Sequence, residues 1–596
     1  MTDHDATTQA AGRLLRLELL GLAAIVAVFG VGPFLSMLDQ WPWGADATKW
    51  LSYGNIESKT WTNWVFFHKH FIGYRPVTAL TYVLNSAAGG YRPFGYRLVD
   101  LCLHGAVGVG IWGVLRLWLR SPWALLGPLS FFLHPAAEVV VPYVSRRSYS
   151  LGLTFGLGFV AAFTLLSRTP FGTWRTPVWL LASTALLALG LFANETVFVL
   201  LPLLPLLALH VAPAERTWWR SLLLCLPAWA MGAIAAAVRV QVLGKVGGYE
   251  KFYFAYAEDG RNKLRNVVDP DALEIFFAAW SYLLFPTGAS GQDSLLAGRG
   301  GAALLVAEGI LTYYVWRAVL QPLWRIRDPD GRGVGLAALW FGGLALLYAL
   351  TGTWFWRQGY PLAVPFSLVW TWVLADTVRT QRGPALLAHL VPQVALLASF
   401  TWHSPIFGLD PKPLETRRRG SHIVNAVLGQ ADLVRDGSVL WLAPPARQPL
   451  SHIARIWITR STTDRDLMVK LLAVYGGMER DPTMSTVEVV MQDDRLRVLL
   501  HEDMRWYKTS ETSLRLEPTG AWLDRIRIMG RDNYLVSFDG DDVVMRPVPV
   551  APDDAEPPQP RRIRRKRSRT RLPPVSDDPP PPPDDPFGQT DTATLP

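Results

Sequence analysis

Up to about residue 403 the chain is a succession of apolar runs of roughly 17–25 residues, the length a helix needs to cross a hydrocarbon core. Inside lipid each backbone N–H and C=O must be satisfied within its own segment, which restricts such runs to helices. They fall at approximately 17–37, 96–117, 122–141, 149–167, 176–194, 196–211, 219–242, 299–319, 333–352, 361–378 and 384–403, about eleven spans in all. The expected fold class is mainly α, a polytopic membrane helical bundle. A small C-terminal α/β or α+β soluble domain follows it.

The charges between the runs suggest an orientation. With the N-terminus in the cytoplasm, the inside connections receive Arg116 with Arg120, Arg168 with Arg175, and Arg216 with Arg220. They also receive Arg317 with Arg325, Arg327 and Arg332, and Arg379 with Arg382. Each carries at least two arginines, as the positive-inside bias requires. The expected layout is a cytoplasmic N-terminus over 1–16 and a membrane domain over 17–403 with outer loops 38–95 and 244–298. An extracytoplasmic domain over 404–549 and a tail over 550–596 complete it. Arg13 and Arg16 precede the first run, which lacks a small-residue cleavage site and reads as an uncleaved anchor. Many of the 26 tryptophans stand near run ends, as in an interfacial belt. The two cysteines, Cys102 and Cys225, lie inside apolar runs, which argues against a disulfide framework. The net charge of +9 is concentrated in the span connections and one C-terminal basic run, so it is not a nucleic-acid signature.

Beyond about residue 418, SVLWLAPP (438–445), STVEVVMQ (485–492) and YLVSFDGDDVVMRP (534–547) read as strands with turns. After Pro549 come RRIRRKRSRTR (561–571) and a run of prolines between acidic pairs, a composition expected to be disordered.

The candidate chemistry gathers at one membrane face. Asp39 and Asp46 follow the first span. Each is either an ordinary surface acid or a general base whose proton affinity is raised by partial desolvation at the interface. His104, His134 and Glu138 sit within spans or at their ends, where polar groups are costly unless paired; helix–helix hydrogen bonding and a capped helix end are the plainer alternatives. Glu195, in FANETVF, falls in a short turn between spans and serves as a cap or as a cavity residue. Arg147, Arg239 and Arg357 project from the outer ends of spans, where the positive-inside bias does not demand them. They either snorkel or clamp a phosphate. His68 and His70 are spaced i, i+2, a poor fit to one helix face, and no metal-ligand spacing follows. No P-loop, G-x-S-x-G or H-E-x-x-H motif occurs, against a nucleotide-driven pump, a serine hydrolase or a zinc protease.

YRPVTALTYVLN (74–85), PFGYRLVDLCLH (93–104), LHPAAEVVVPYVSRR (133–147) and ANETVFVLLPLL (193–204) follow one another in an order that resembles the GT-C superfamily of polytopic glycosyltransferases. The pattern is similar to the bacterial and tetratricopeptide-containing protein O-mannosyltransferase-like branch, without the repeats. The resemblance covers roughly residues 20–400, with WSYLLFP (280–286) and WRQGYPLAVP (356–365) carrying its later part. It implies inverting transfer of a sugar from a polyprenyl-phosphate donor to an acceptor hydroxyl on the extracytoplasmic face. By this resemblance Asp46, or Asp39 in the alternative alignment, is the catalytic base. Arg239, Arg357 and Arg147 are donor-phosphate ligands, and His104, His134, Glu138 and Glu195 are further cavity candidates. No cofactor is implied, although a divalent metal stays open. The implied partners are the lipid-linked sugar, membrane lipids and an acceptor protein, lipid or glycan, in a bacterial inner membrane with the C-terminal domain in the periplasm. The chain departs from the family pattern at Ala47 and Tyr149, where acids are usual, and at Asn194-Glu195, where Lys-Glu is usual. The alternative is a catalytically inactive scaffold or lipid-binding subunit of an envelope assembly. A transporter is disfavoured because the arginines lie at one face rather than mid-membrane.

Overall fold

The computed structural model describes residues 3–41, 61–67, 73–90, 92–119, 122–211, 218–243, 329–351, 356–402, 421–422, 424–430 and 434–442, with residue 458 and the strands between 467 and 548. The chain divides into two units, Met1–Asn425 and Ala426–Pro596. The first is helical: α1 (Asp3–Ile25), α2 (Trp61–Phe66), α3 (Pro76–Gly89), α4 (Pro93–Leu119), α5 (Leu126–Leu133), α6 (Arg147–Arg168), α7 (Arg175–Ala193), α8 (Leu200–Val211), α9 (Trp218–Leu223), α10 (Leu226–Leu243), α11 (Pro329–Thr351), α12 (Gly359–Thr380) and α13 (Gly383–Trp402).

Among the described residues six segments are long and apolar enough to cross a membrane: Gly12–Met37, Pro93–Leu119, Val144–Arg168, Arg175–Ala193, Trp218–Leu243 and Gly359–Thr380. Shorter apolar helices cover Pro122–Leu133, Glu195–Leu209, Gly335–Tyr348 and Gly383–Ala398. This is an integral membrane helical bundle. Ten of the expected spans thus meet a helix, and the run at 299–319 lies outside the described residues. Two of the ten are shorter than hydropathy suggests. The helix expected over 122–141 ends at Leu133, because Pro135 disfavours the helical region for the residue before it and His134 turns extended at φ −70, ψ 127. A 3-10 turn, Glu195–Val199, opens the run expected over 196–211, so its α-helical part is only 12 residues long.

The expected outer loop 38–95 contains α3, a 14-residue helix with Pro76 in its first turn, where a missing N–H costs nothing. One face of α3, with Thr78, Ala79, Tyr82 and Val83, is buried. The helix is therefore an integral part of the bundle end. The core runs through α4, α6 and α12, the last with Gly359–Leu374 buried throughout. Peripheral helices instead expose leucines and valines such as Leu20, Leu181 and Val391, as surfaces facing lipid require. Close packing depends on missing side chains. A Cβ on Gly108 would lie 2.2 Å from the Phe132 ring and one on Gly30 at 2.9 Å, so Phe132 occupies a slot between the first span and α4.

At one end of the bundle Arg116, in the last turn of α4, pairs with buried Glu18 of α1 at 2.9 Å. At the α6–α7 connection and in the first turn of α9, exposed Trp174 and Trp219 lie beneath the guanidinium groups of Arg175 and Arg220. Both pairs join an interfacial aromatic to a cation, as at a membrane–water boundary.

The described residues of the second unit form three sheets. In the first, β1 (Val439–Leu442) lies between β2 (Met468–Leu471) and β9 (Asn533–Asp539), parallel to both, and β10 (Asp542–Pro547) is antiparallel to β9. β3 (Val474–Gly476) pairs with β6 (Met504–Trp506). β4 (Glu488–Gln492), β5 (Arg495–Leu499), β8 (Gly520–Leu523) and β7 (Leu514–Glu517) form an antiparallel sheet in that order. All four residues of β1 are buried, and the Trp441 indole donates to Asn533 Oδ1 at 3.0 Å. The strands expected from the sequence at 438–445, 485–492 and 534–547 coincide with β1, β4 and the β9–β10 hairpin. The tail after 549 lies outside the described residues.

Candidate functional site

At the end of the bundle opposite Glu18–Arg116, the N-termini of α3, α4, α6 and α12 meet the C-termini of α7 and α10. The sequence SRRSYS, entering α6, is the hub. Three of its side chains reach three different groups.

The first group is an arginine–carboxylate cluster. Glu195, in the turn after α7, accepts from Arg75 Nε through Oε2 at 3.0 Å and from Arg75 Nη2 through Oε1, a bidentate pair. Arg239, one turn from the end of α10, donates to Glu195 Oε2 at 3.3 Å and to the Leu191 carbonyl at 3.5 Å. Arg75 also donates to Ser148 Oγ at 3.1 Å, and Asn194 Nδ2 donates to the same oxygen at 3.2 Å. A Cβ on Gly152 would come 2.7 Å from Asn194 Cβ, so α6 and the end of α7 touch backbone to side chain at this point. Burial pushes the Glu195 carboxyl up, but Arg75 and then Arg239 more than offset this and hold it at about 2, so it is a carboxylate at any working pH. The cluster carries a net single positive charge. Both arginine side chains are under a tenth exposed, while Glu195 is 26% exposed. Tyr74, beside them, donates to the Phe66 carbonyl at 2.8 Å; its phenol is pushed up by burial, against the pull of Arg239.

The second group is a buried ion pair. Arg147 Nε lies 2.5 Å from Asp100 Oδ1, and its other nitrogens donate to Asn85 Oδ1 (2.6 Å), the Tyr96 carbonyl (2.9 Å) and Thr81 Oγ1 (3.3 Å). The guanidinium lies over the Tyr82 ring at 4.6 Å, and the Arg147 side chain is 0% exposed. Arg147 is thus spent on internal partners across α3, α4 and α6.

The third is uncharged. Tyr360, at the start of α12, has its hydroxyl 2.7 Å from His104 Nδ1 and accepts from Ser150 Oγ at 3.2 Å. His104 is fully buried among Phe34, Phe131 and Phe132.

Of the residues expected from the sequence, Arg147, Glu195, Arg239 and His104 are brought to this end of the bundle. Arg357 is half-buried in the 3-10 turn Trp356–Gln358 that leads into α12, three residues before Tyr360. His134 is buried but joins none of the three groups: its Nδ1 accepts from the Ala136 N–H as a helix cap, and its ring meets Phe400 edge to face. Glu138 is half-buried at the end of that same short turn. Asp39 is exposed in the turn closing the first span, and Asp46, Ala47, His68 and His70 lie outside the described residues. Tyr149 is buried. Among the described residues no group of three His, Cys, Asp or Glu side chains is placed to hold a metal.

Sequence reasoning missed Arg75 and Asp100. The signal for Asp100 was available, since an acid inside an expected span requires a cationic partner. Arg75 was hidden in a segment read as loop.

No protein-family model matches the chain. It is 30% identical over 140 residues to mouse Protein O-mannosyl-transferase TMTC4, covering 20% of this chain and 19% of that protein. It is 32% identical over 106 residues to human Protein O-mannosyl-transferase TMTC3, covering 18% and 11%. In sequence the chain resembles the membrane O-mannosyltransferases. The chain spans about a fifth or less of the length of these relatives. Among solved structures, ArnT from Cupriavidus metallidurans bound to undecaprenyl phosphate aligns with a TM-score of 0.41 and 16% identity, covering 78% of this chain and 86% of that one. AglB from Archaeoglobus fulgidus, in complex with an inhibitory peptide and a dolichol-phosphate, aligns with a TM-score of 0.38 and 11% identity, covering 76% and 64%.

Proposed function

We propose that this chain is an inverting membrane glycosyltransferase that moves a sugar from a polyprenyl-phosphate donor to an acceptor hydroxyl on the extracytoplasmic face of a bacterial inner membrane. The observation that carries the reading is the Arg75–Glu195–Arg239 cluster at one end of the bundle. Glu195 holds two guanidiniums side by side. The long contacts of Arg239, at 3.3 and 3.5 Å, leave it donor capacity for an incoming phosphate oxygen. The acceptor oxygen attacks the anomeric carbon from the face opposite the phosphate. The new C–O bond forms as the bond to the phosphate oxygen breaks, and the electron pair leaves on the polyprenyl phosphate. The hydroxyl proton passes to a carboxylate, with Asp46 first and Asp39 second in order of preference. Negative charge grows on the leaving phosphate during this step, so arginines beside it stabilise the transition state more than the bound donor. Arg357 is assigned to the same phosphate and Arg147 to supporting it from within. The resemblance to O-mannosyltransferases favours a hydroxyl acceptor. The N-terminus is cytoplasmic and the C-terminal unit periplasmic in this reading, on the strength of the arginine alternation.

Tyr149 and Ala47, at positions where the resembled family has acids, favour a second reading: the same fold retained as a non-catalytic scaffold or lipid-binding subunit. The deciding experiment is transfer by the full-length protein in proteoliposomes, using a panel of radiolabelled polyprenyl-phosphate sugars. Turnover that is lost in Asp46→Asn while donor binding survives, and a raised donor KM in Arg239→Ala, agree with the enzyme. Donor binding by wild type without transfer from any of these sugars overturns it in favour of the scaffold.

A further inference from the structure

The turn that closes the first span is fastened by two residues far along the chain. Trp41, the last described residue before the segment 42–60, is 4% exposed. Its backbone N–H donates to Ser421 Oγ at 2.9 Å, and its indole Nε1 donates to Asn425 Oδ1 at 2.7 Å. These bonds join positions 380 and 384 residues apart. From the other side Arg97, on the first turn of α4, donates to the carbonyls of Gln40 (3.2 Å), Trp41 (3.4 Å) and Pro142. The peptide around Trp41 is thereby tied through both its N–H and its C=O, to a segment that follows the last apolar helix and to a buried arginine. A free loop root needs no such arrangement. Water would satisfy the same groups at no ordering cost.

We propose that Ser421 and Asn425 form a positioning clamp that holds the turn closing the first span, residues 38–41, for reaction, acting through Trp41 and against Arg97. The inference rests on the glycosyltransferase reading, because this turn carries Asp39, one of its two candidate bases. Ser421 and Asn425 touch neither donor nor acceptor; they act by fixing Trp41. Trp41, Arg97, Ser421 and Asn425 all belong to the first unit.

The test uses the full-length protein in lipid nanodiscs, with two readouts: transfer kinetics and peptide-level hydrogen exchange. Asn425→Ala, and Trp41→Phe, which keeps an aromatic ring but removes the indole N–H, each delete the same bond. Each should lower kcat about tenfold, the scale of one lost hydrogen bond, with the donor KM within about twofold of wild type. Exchange over residues 38–41 should quicken while that of Pro93–Leu119 stays unchanged. The double variant should be no worse than either single one, because both remove one interaction. Asn425→Asp, which keeps the accepting oxygen, should restore most of the turnover. Additive losses in the double variant, or unchanged exchange over 38–41 in both single variants, overturn the clamp. If wild type transfers no sugar, the glycosyltransferase reading fails, and the exchange measurements still decide whether the clamp exists.

Discussion

Replacing Asp100 with alanine should destabilise the bundle out of proportion to the single hydrogen bond it deletes. Arg147 is 0% exposed and Asp100 6%, and Asp100 supplies the countercharge at 2.5 Å. Three further acceptors remain after the substitution, Asn85 Oδ1, the Tyr96 carbonyl and Thr81 Oγ1. If the pair were only a hydrogen bond, its loss would cost about 0.6 kcal/mol, the average found between membrane helices. A buried charge stripped of its partner costs about 3–5 kcal/mol. The second figure applies, because the guanidinium cannot reach water without unpacking α3 from α6. Asp100→Asn keeps an acceptor but loses the charge, so it should forfeit most of the same stability. Asp100→Leu combined with Arg147→Met removes both charges and should recover at least half of it. Reversible unfolding in mixed micelles, followed by tryptophan fluorescence, measures each value. A cost below about 1 kcal/mol for Asp100→Ala, or a double variant worse than the single one, would refute the argument that charge rather than hydrogen bonding dominates.

Other consequences are open to direct measurement. Glu195→Gln should cut transfer at least tenfold, because the neutral amide no longer holds Arg75 and Arg239 against their mutual repulsion; unchanged kinetics would remove Glu195 from the site. Gly108→Ala places a methyl 2.2 Å from the Phe132 ring and should cost about 1–3 kcal/mol by overpacking. Phe132→Leu in the same chain should relieve part of that cost, and a denaturation series on the single and double variants decides. Reporter fusions at Arg382 and Ser421 should mark opposite sides of the membrane, since α13 lies between them; the same side for both would refute a crossing by α13.

The bundle was largely readable from apolar run length, because in lipid the backbone has few alternatives to helix. The failures came where a local signal competed with hydropathy. Pro135 stops a helix that the apolar run would have continued, and a Pro after His was visible in the sequence. The site was partly readable for a related reason. Charged residues at span ends are conspicuous, so Arg147, Glu195 and Arg239 could be gathered on one face. What a charge is paired with depends on how helices pack, and packing leaves little trace in one sequence. Arg147 therefore read as a surface ligand, whereas the structure shows it enclosed by Asp100, Asn85 and Tyr96.

The long sequence separations within the polar end of the bundle bear on how the chain is made. Arg75 and Glu195 are 120 residues apart, and His104 and Tyr360 are 256 apart. At ordinary elongation rates of about 5–20 residues per second, Arg75 would wait roughly 6–24 s for its carboxylate to emerge. His104 would wait roughly 13–50 s for its phenol. During that interval the half-synthesised bundle holds a guanidinium and an imidazole without their final partners, and lipid phosphates or insertion machinery are the nearest substitutes. Arg147 and Asp100, only 47 residues apart, meet much sooner. The early ion pair can then organise α3, α4 and α6 as a nucleus on which the later helices dock, so a lesion at Asp100 should be felt in insertion and turnover by quality control before it is felt in catalysis.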